Sequence, residues 1–233
     1  MAMLLAACAS PADVGATPSA SLGLPQTTTP TPTAATPKST PKPTTKPSAK
    51  PTPNPSATIG PAAGLIMATP GPAWTAAGLD GPTFAVGYCH YRKLPDGQYL
   101  PDPRCTPGAI DSTVNDSTLG STICKSGYTK TVRPPSSMTG KAKRESMLEY
   151  NTNLPASALE YDHLIPLELG GSSSTYNLWP EPNMAGSGGF YINAKDKVEN
   201  SLKYAVCGGR TTLRAAQQAI GANWETAMTV LGL

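Results

Sequence analysis

Asp162 and His163 stand side by side, and the only other histidine in the chain is His90. A histidine is the side chain best suited to take a proton from water near neutral pH, so His163 is the natural general base if the chain carries out hydrolysis. The pair lies in Glu160-Tyr161-Asp162-His163-Leu164-Ile165-Pro166-Leu167-Glu168-Leu169-Gly170-Gly171, followed by Asn177-Leu178-Trp179-Pro180-Glu181-Pro182. An Asp-His pair, a Gly-Gly turn and then an Asn are the minimal wiring of a one-metal phosphodiesterase. Asn177 follows His163 by 14 positions, with a turn signal between them. That spacing predicts two short strands folded into a hairpin, with His163 and Asn177 facing each other across it.

These residues resemble the HNH endonucleases, the ββα-metal finger family, and most closely a group of secreted bacterial proteins with a DHxxPLxLGG…NLWP pattern. The resemblance covers roughly residues 89 to 230. It implies a hairpin followed by a helix, with Asp162 as the first metal ligand, His163 as the base and Asn177 as the brace that orients His163. A carboxylate and amide oxygen site implies a hard cation, Mg2+ or Mn2+, which would supply positive charge as negative charge builds on the phosphate. A further ligand would come from the helix.

That helix is readable over Ile192 to Cys207, where Val198, Leu202, Ala205 and Val206 recur at helical spacing and Gly208-Gly209 marks the stop. Asp196 and Asn200 are i and i+4 and share a face. They are the favoured pair aimed at the hairpin, with Glu199 as the competing ligand. No histidine lies on this helix, unlike the common family pattern. Trp179 reads as a core anchor, Glu168 and Glu181 as solvated, and His90 as structural.

The remaining elements are expected to frame that finger. Thr83 to Tyr91 with Gln98 to Leu100 reads as a hairpin turning at Asp96-Gly97, and Ser112 to Ile123 is ambiguous, with a short helix as the reading offered. Tyr128 to Arg133 reads as a strand ended by Pro134-Pro135, and Gly140 to Tyr150 as a helix. Thr211 to Ile220 and Trp224 to Leu231 read as closing helices. The fold class is α+β, a small disulfide-linked domain over 75–233. Its four cysteines form an even count, and no Cys-x-x-Cys occurs. Cys89 and Cys105 flank the first hairpin and are expected to pair, which leaves Cys124 with Cys207.

The N-terminal stretch Leu5-Ala6-Ala7-Cys8 matches a bacterial lipobox, with Cys8 the lipidated residue. The apolar run before it is short, so a signal start further upstream is expected. Residues 9–74 read as a disordered Pro/Thr/Ala/Lys-rich linker that cannot bury a core. Of the 18 Lys and Arg and 15 Asp and Glu, four lysines and Asp13 fall within residues 1–60. The rest of the chain therefore holds 14 of each sign and has no strongly basic footprint. A local patch of Arg133, Lys141, Lys143, Arg144, Lys195, Lys197 and Lys203 is the expected nucleic-acid contact.

The leading expectation is an exported, lipid-anchored, monomeric metal-dependent endonuclease, with DNA favoured over RNA. The alternative is a catalytically inactive envelope lipoprotein that binds or supports on an HNH-like scaffold. A wall hydrolase is disfavoured, because no paired-carboxylate or Cys-His arrangement stands out.

Overall fold

The computed structural model describes residues 66–67, 71–186 and 189–233. The lipobox, Cys8 and the linker up to residue 65 lie outside the described residues. The ordered unit reaches back beyond the expected boundary at 75. Gly71 N–H donates to Asp111 at 3.1 Å, and Pro72 carbonyl accepts from Ser173 N–H at 3.0 Å.

The architecture is α+β, with five two-stranded pairings among the described residues. Ile66–Met67 (β1) runs parallel to Ala109–Ile110 (β6), and Trp74–Thr75 (β2) pairs with Gly78–Leu79 (β3). Arg92–Lys93 (β4) pairs with Tyr99–Leu100 (β5). The longest pairing joins Leu159–His163 (β7) to Leu178–Pro182 (β8), and Met184–Ala185 (β9) pairs with Tyr191–Ile192 (β10). The helices are Tyr128–Val132 (α1), Ser136–Glu149 (α2), Lys195–Cys207 (α3), Leu213–Ala222 (α4) and Ala227–Val230 (α5).

Three expectations differ from what is found. Tyr128 to Val132 is helical, not a strand. Tyr128 and Val132 are four residues apart, a spacing that keeps them on one face in either geometry, so the apolar pattern cannot choose. Gly127 in the left-handed region opens the turn, and the Trp74 indole N–H donates to Val132 carbonyl at 2.9 Å. Thr83 to Tyr91 forms no strand; only β4 and β5 make the first hairpin. In Ser112 to Ile123, a single 3₁₀ turn at Leu119–Ser121 stands where a short helix was expected.

Helix α4 starts on Thr212, whose hydroxyl accepts from Ala215 N–H at 3.1 Å, an N-cap bond. It buries Leu213, Ala216, Gln217 and Ile220. One core cluster joins Leu213, Ala216 and Ile220 to Ile110, Val114, Ile123, Ile165, Leu169, Leu202, Val206 and Trp224. A second holds Cys89, Cys105, Tyr150, Leu164 and Trp179, flanked by Phe84, Tyr91 and Tyr99. Both disulfides pair as the cysteine spacing suggests, Cys89–Cys105 and Cys124–Cys207. The second joins the end of α3 to the segment before α1.

Candidate active site on the hairpin and helix α3

Residues 164–177 link β7 to β8 and fold back tightly. A Cβ on Gly171 would lie 1.7 Å from Ile165 carbonyl oxygen, so only glycine permits the approach. Gly170 has φ +72°, and a Cβ there would strike the Val114 side chain. The fold-back lets one amide, Asn177, tie the loop. Its Nδ2 donates to Ile165 carbonyl at 2.9 Å and Ser172 carbonyl at 2.8 Å, and its Oδ1 accepts from Ile165 N–H at 2.9 Å and Ala109 N–H at 3.3 Å. A fully buried amide with both ends satisfied rigidifies the loop.

Asn177 therefore braces backbone and does not touch the His163 ring. Opposite His163 in the register is Leu178. The ring partner is Ser173, with Nε2 and Oγ 3.0 Å apart. His163 is buried, 5 % exposed, and its Nδ1 makes no hydrogen bond among the described residues. Burial pushes the imidazole down to about 4, with Asp162 working to raise it and Arg133 and Lys195 to lower it further. The ring is neutral across the neutral pH range. Arg133 is exposed and close enough for its charge to act on the ring.

Beside His163 lies a buried charge cluster. Lys195 is fully buried, and its ammonium donates to Asp162 Oδ2 at 2.5 Å, to His163 carbonyl at 2.7 Å and to Glu199 Oε1. Burial alone would lower the ammonium, but Asp162, Glu199 and Glu181 outweigh it and hold Lys195 above its ordinary range. Burial would raise Asp162, but Lys195, the Glu181 carboxyl and His163 hold it below the usual range. Glu181 is raised well above the carboxyl range by burial, against the pull of Lys195, and Asp162 adds to the rise. Two carboxyls share such a site only when one keeps its proton. Glu199 is raised to about 7, by burial first and, against Lys195, by Asp162. Glu160 sits at the edge, accepting from Asn193 Nδ2 at 3.2 Å.

The structure brings Asp162, His163 and Glu199 together around Lys195, with Arg133 near enough for its charge to lower the imidazole. Asp196 and Asn200 lie on the exposed side of α3, with Asn200 Nδ2 donating to Asp196 carbonyl at 2.9 Å. Asp196 is raised by partial burial and then by the Asp162 charge, so it stands at the electrostatic edge of the cluster, while Asn200 makes no hydrogen bond to the cluster among the described residues. The inward face is fixed by Leu202, Ala205 and Val206. Counting back from Leu202 by three and seven lands on Glu199 and Lys195, while Asp196 and Asn200 fall about 100° further round. The same count would have found Lys195 in the sequence. Being buried, Lys195 is not a surface contact for nucleic acid. Of the other basic candidates, Lys143 donates to Ala156 and Leu159 carbonyls, both at 2.7 Å. Lys141 pairs with Glu145 at 3.8 Å, and Lys203 with Glu168 at 3.8 Å. Arg144 and Lys197 are exposed. Glu181, expected to be solvated, is buried, and its Oε2 finds no donor. His90 is exposed; its backbone N–H donates to Asp102 Oδ2 at 2.8 Å.

The oxygens of Asp162, Glu181 and Glu199 are a hard donor set of the kind a magnesium or manganese ion takes. A cation, the Lys195 ammonium, already lies between Asp162 and Glu199. No group of three His, Cys, Asp or Glu side chains among the described residues forms a ready-made ion cage. No family model, curated protein or solved structure matches the chain.

Proposed function

We propose that this chain is a hydrolase of phosphodiester bonds in nucleic acid, built on an HNH-type finger of β7, β8 and α3, with DNA the preferred substrate. The observation that carries the reading is the His163 imidazole, neutral and held at Nε2, with Nδ1 left without a hydrogen bond among the described residues, next to a carboxylate cluster and within reach of the Arg133 charge. In this reading Nδ1 takes the proton from the attacking water. Arg133 contacts the phosphate and offsets charge as it develops, and Arg144 and Lys197 lie outside as weaker contacts. Asn177 keeps the loop in place so that the ring does not wander.

The proposed cofactor is Mg2+ or Mn2+. Asp162 and Glu199 would hold it in exchange for the Lys195 ammonium, with Glu181 nearby, and it would supply positive charge at the phosphate. Asp196, at the edge of the same cluster, is a further candidate ligand, and Asn200, on the exposed side of α3, is the weakest of the set. Two disulfides suit an oxidising compartment. Export with a lipid anchor at Cys8, and a monomeric state, complete the proposal.

One observation favours a second reading. The Lys195 ammonium already occupies the place between Asp162 and Glu199, as in a finished structural ion network, which suits an inactive scaffold in the cell envelope. One experiment divides them. The full oxidised chain is incubated with supercoiled plasmid and Mg2+ or Mn2+. Nicking that vanishes with EDTA and in His163→Ala is the expected result. Plasmid left intact with every divalent ion tried overturns the nuclease reading in favour of the scaffold.

A further inference from the structure

The orienting partner of the base is the loop hydroxyl of Ser173. We propose that Ser173 is the positioning residue for His163: its Oγ accepts the Nε2 proton and thereby leaves the Nδ1 lone pair as the atom that takes a proton from water. The inference rests on His163 being the base.

Four observations point to it. First, Ser173 and His163 are both buried, with Oγ and Nε2 3.0 Å apart. Second, the place of the hydroxyl is set by backbone and not by the serine side chain itself. Ser173 N–H donates to Pro72 carbonyl at 3.0 Å, Ser172 N–H donates to Ala109 carbonyl at 3.1 Å, and Ser172 carbonyl accepts from Asn177 at 2.8 Å. The close approach at Gly171 closes the same turn. Third, the neighbouring carboxylate does not take this role, because Asp162 Oδ2 is engaged by Lys195. Fourth, Ser173 Oγ has no other hydrogen-bond partner among the described residues, so the contact with Nε2 is the one that this hydroxyl makes and the tautomer decides its direction.

A neutral imidazole carries one N–H, and the hydrogen bond made by one nitrogen decides what the other can do. With the proton on Nε2, Nδ1 carries the free lone pair and can act as a base. With the proton on Nδ1, the ring presents a donor there and cannot accept from water. Ser173 thus selects which end of His163 does chemistry.

The test begins with the full chain labelled with 15N-histidine. His163→Ala assigns the spectrum, since only His90 then remains. The expected wild-type spectrum is the Nε2–H tautomer for His163, and Ser173→Ala mixes the two tautomers. In plasmid nicking, Ser173→Ala lowers kcat by about 10- to 100-fold, the usual scale for losing an orienting partner, with KM nearly unchanged. Ser173→Thr, which keeps the hydroxyl, recovers most of the rate. Ser173→Ala added to His163→Ala costs nothing more. A wild-type Nδ1–H tautomer overturns the proposal, and so does a folded Ser173→Ala with unchanged tautomer and kcat. The wild-type spectrum decides the ring orientation even if Ser173→Ala does not fold. Absence of nicking by the wild type strikes the nuclease reading instead, so the two failures are told apart.

Discussion

The β7–β8 hairpin is held by two neighbourhoods made of opposite materials. Around Trp179 the contacts are aromatic and covalent. Tyr91 lies 4.7 Å from Tyr150 and 6.0 Å from Trp179 between ring centroids, its hydroxyl donates to Pro180 carbonyl at 2.6 Å, and the Cys89–Cys105 bridge is buried beside them. Around Asp162 the contacts are ionic, with Lys195 between carboxylates and Glu181 keeping a proton. Aromatic packing and a buried disulfide stabilise at any ordinary pH. A buried ion network is a poor way to gain stability, since desolvation offsets most of the attraction, and apolar residues of like size usually do as well. A chain that needed only a folded hairpin would have used the first material twice. The second neighbourhood is therefore the one whose chemistry asks for explanation.

Four measurements break or sharpen this contrast, from the largest effect down. Replacing Cys124 and Cys207 together with alanine, which opens a separation of 83 residues, is expected to cost about 4.5 kcal/mol in chemical melts. The 16-residue separation of Cys89–Cys105 gives about 3 kcal/mol by the same reasoning. Equal losses would show that the two bridges are not distinguished by loop length. Next, Lys195→Met leaves two carboxylates without a cation and is expected to lose about 4 kcal/mol. Combining it with Asp162→Asn and Glu199→Gln is expected to return most of that loss. A single variant as stable as wild type would remove the ionic half of the contrast.

The third is pH. The folded pKa of His163, about 4, lies below its ordinary 6.5, so the unfolded chain takes up the proton first. Stability from this group is complete above pH 6.5 and falls as pH drops toward 4, by up to about 3 kcal/mol. Subtracting the stability curve of His163→Gln from that of wild type should isolate this slope; a flat difference would place the imidazole in a wetter setting. The smallest effect is Tyr91→Phe, which leaves Pro180 carbonyl without its donor and is expected to cost about 1 kcal/mol, independent of pH between 4 and 8. A marked pH dependence there would blur the two neighbourhoods.

The sequence revealed the apolar and covalent half well and the ionic half poorly, for a physical reason. Cysteine pairing, the core role of Trp179, the paired strands around Asp162-His163 and the helix ending at Cys207 all follow from periodicity, turn residues and even cysteine count. The burial of Lys195 and Glu181 is not legible in the sequence, because a charged side chain is normally exposed and only partners brought together by the fold make its burial possible. Ser173 gave no signal, since a serine in a Ser-Ser-Ser run looks like loop. Asp196 and Asn200 were attractive by chemical type, yet helix phase is set by Leu202 and Val206, and phase overrides type.

The bridge at Cys207 sits at the last residue of α3, while the ammonium sits at the first, about 18 Å away along the axis. Cys207 is exposed, whereas Cys89 and Cys105 are buried. A reducing agent thus meets the helix tether before the inner staple. Mild reduction should loosen the far end of a lever whose near end carries Lys195 and Glu199, disturbing the carboxylates at a distance while the aromatic neighbourhood keeps its shape.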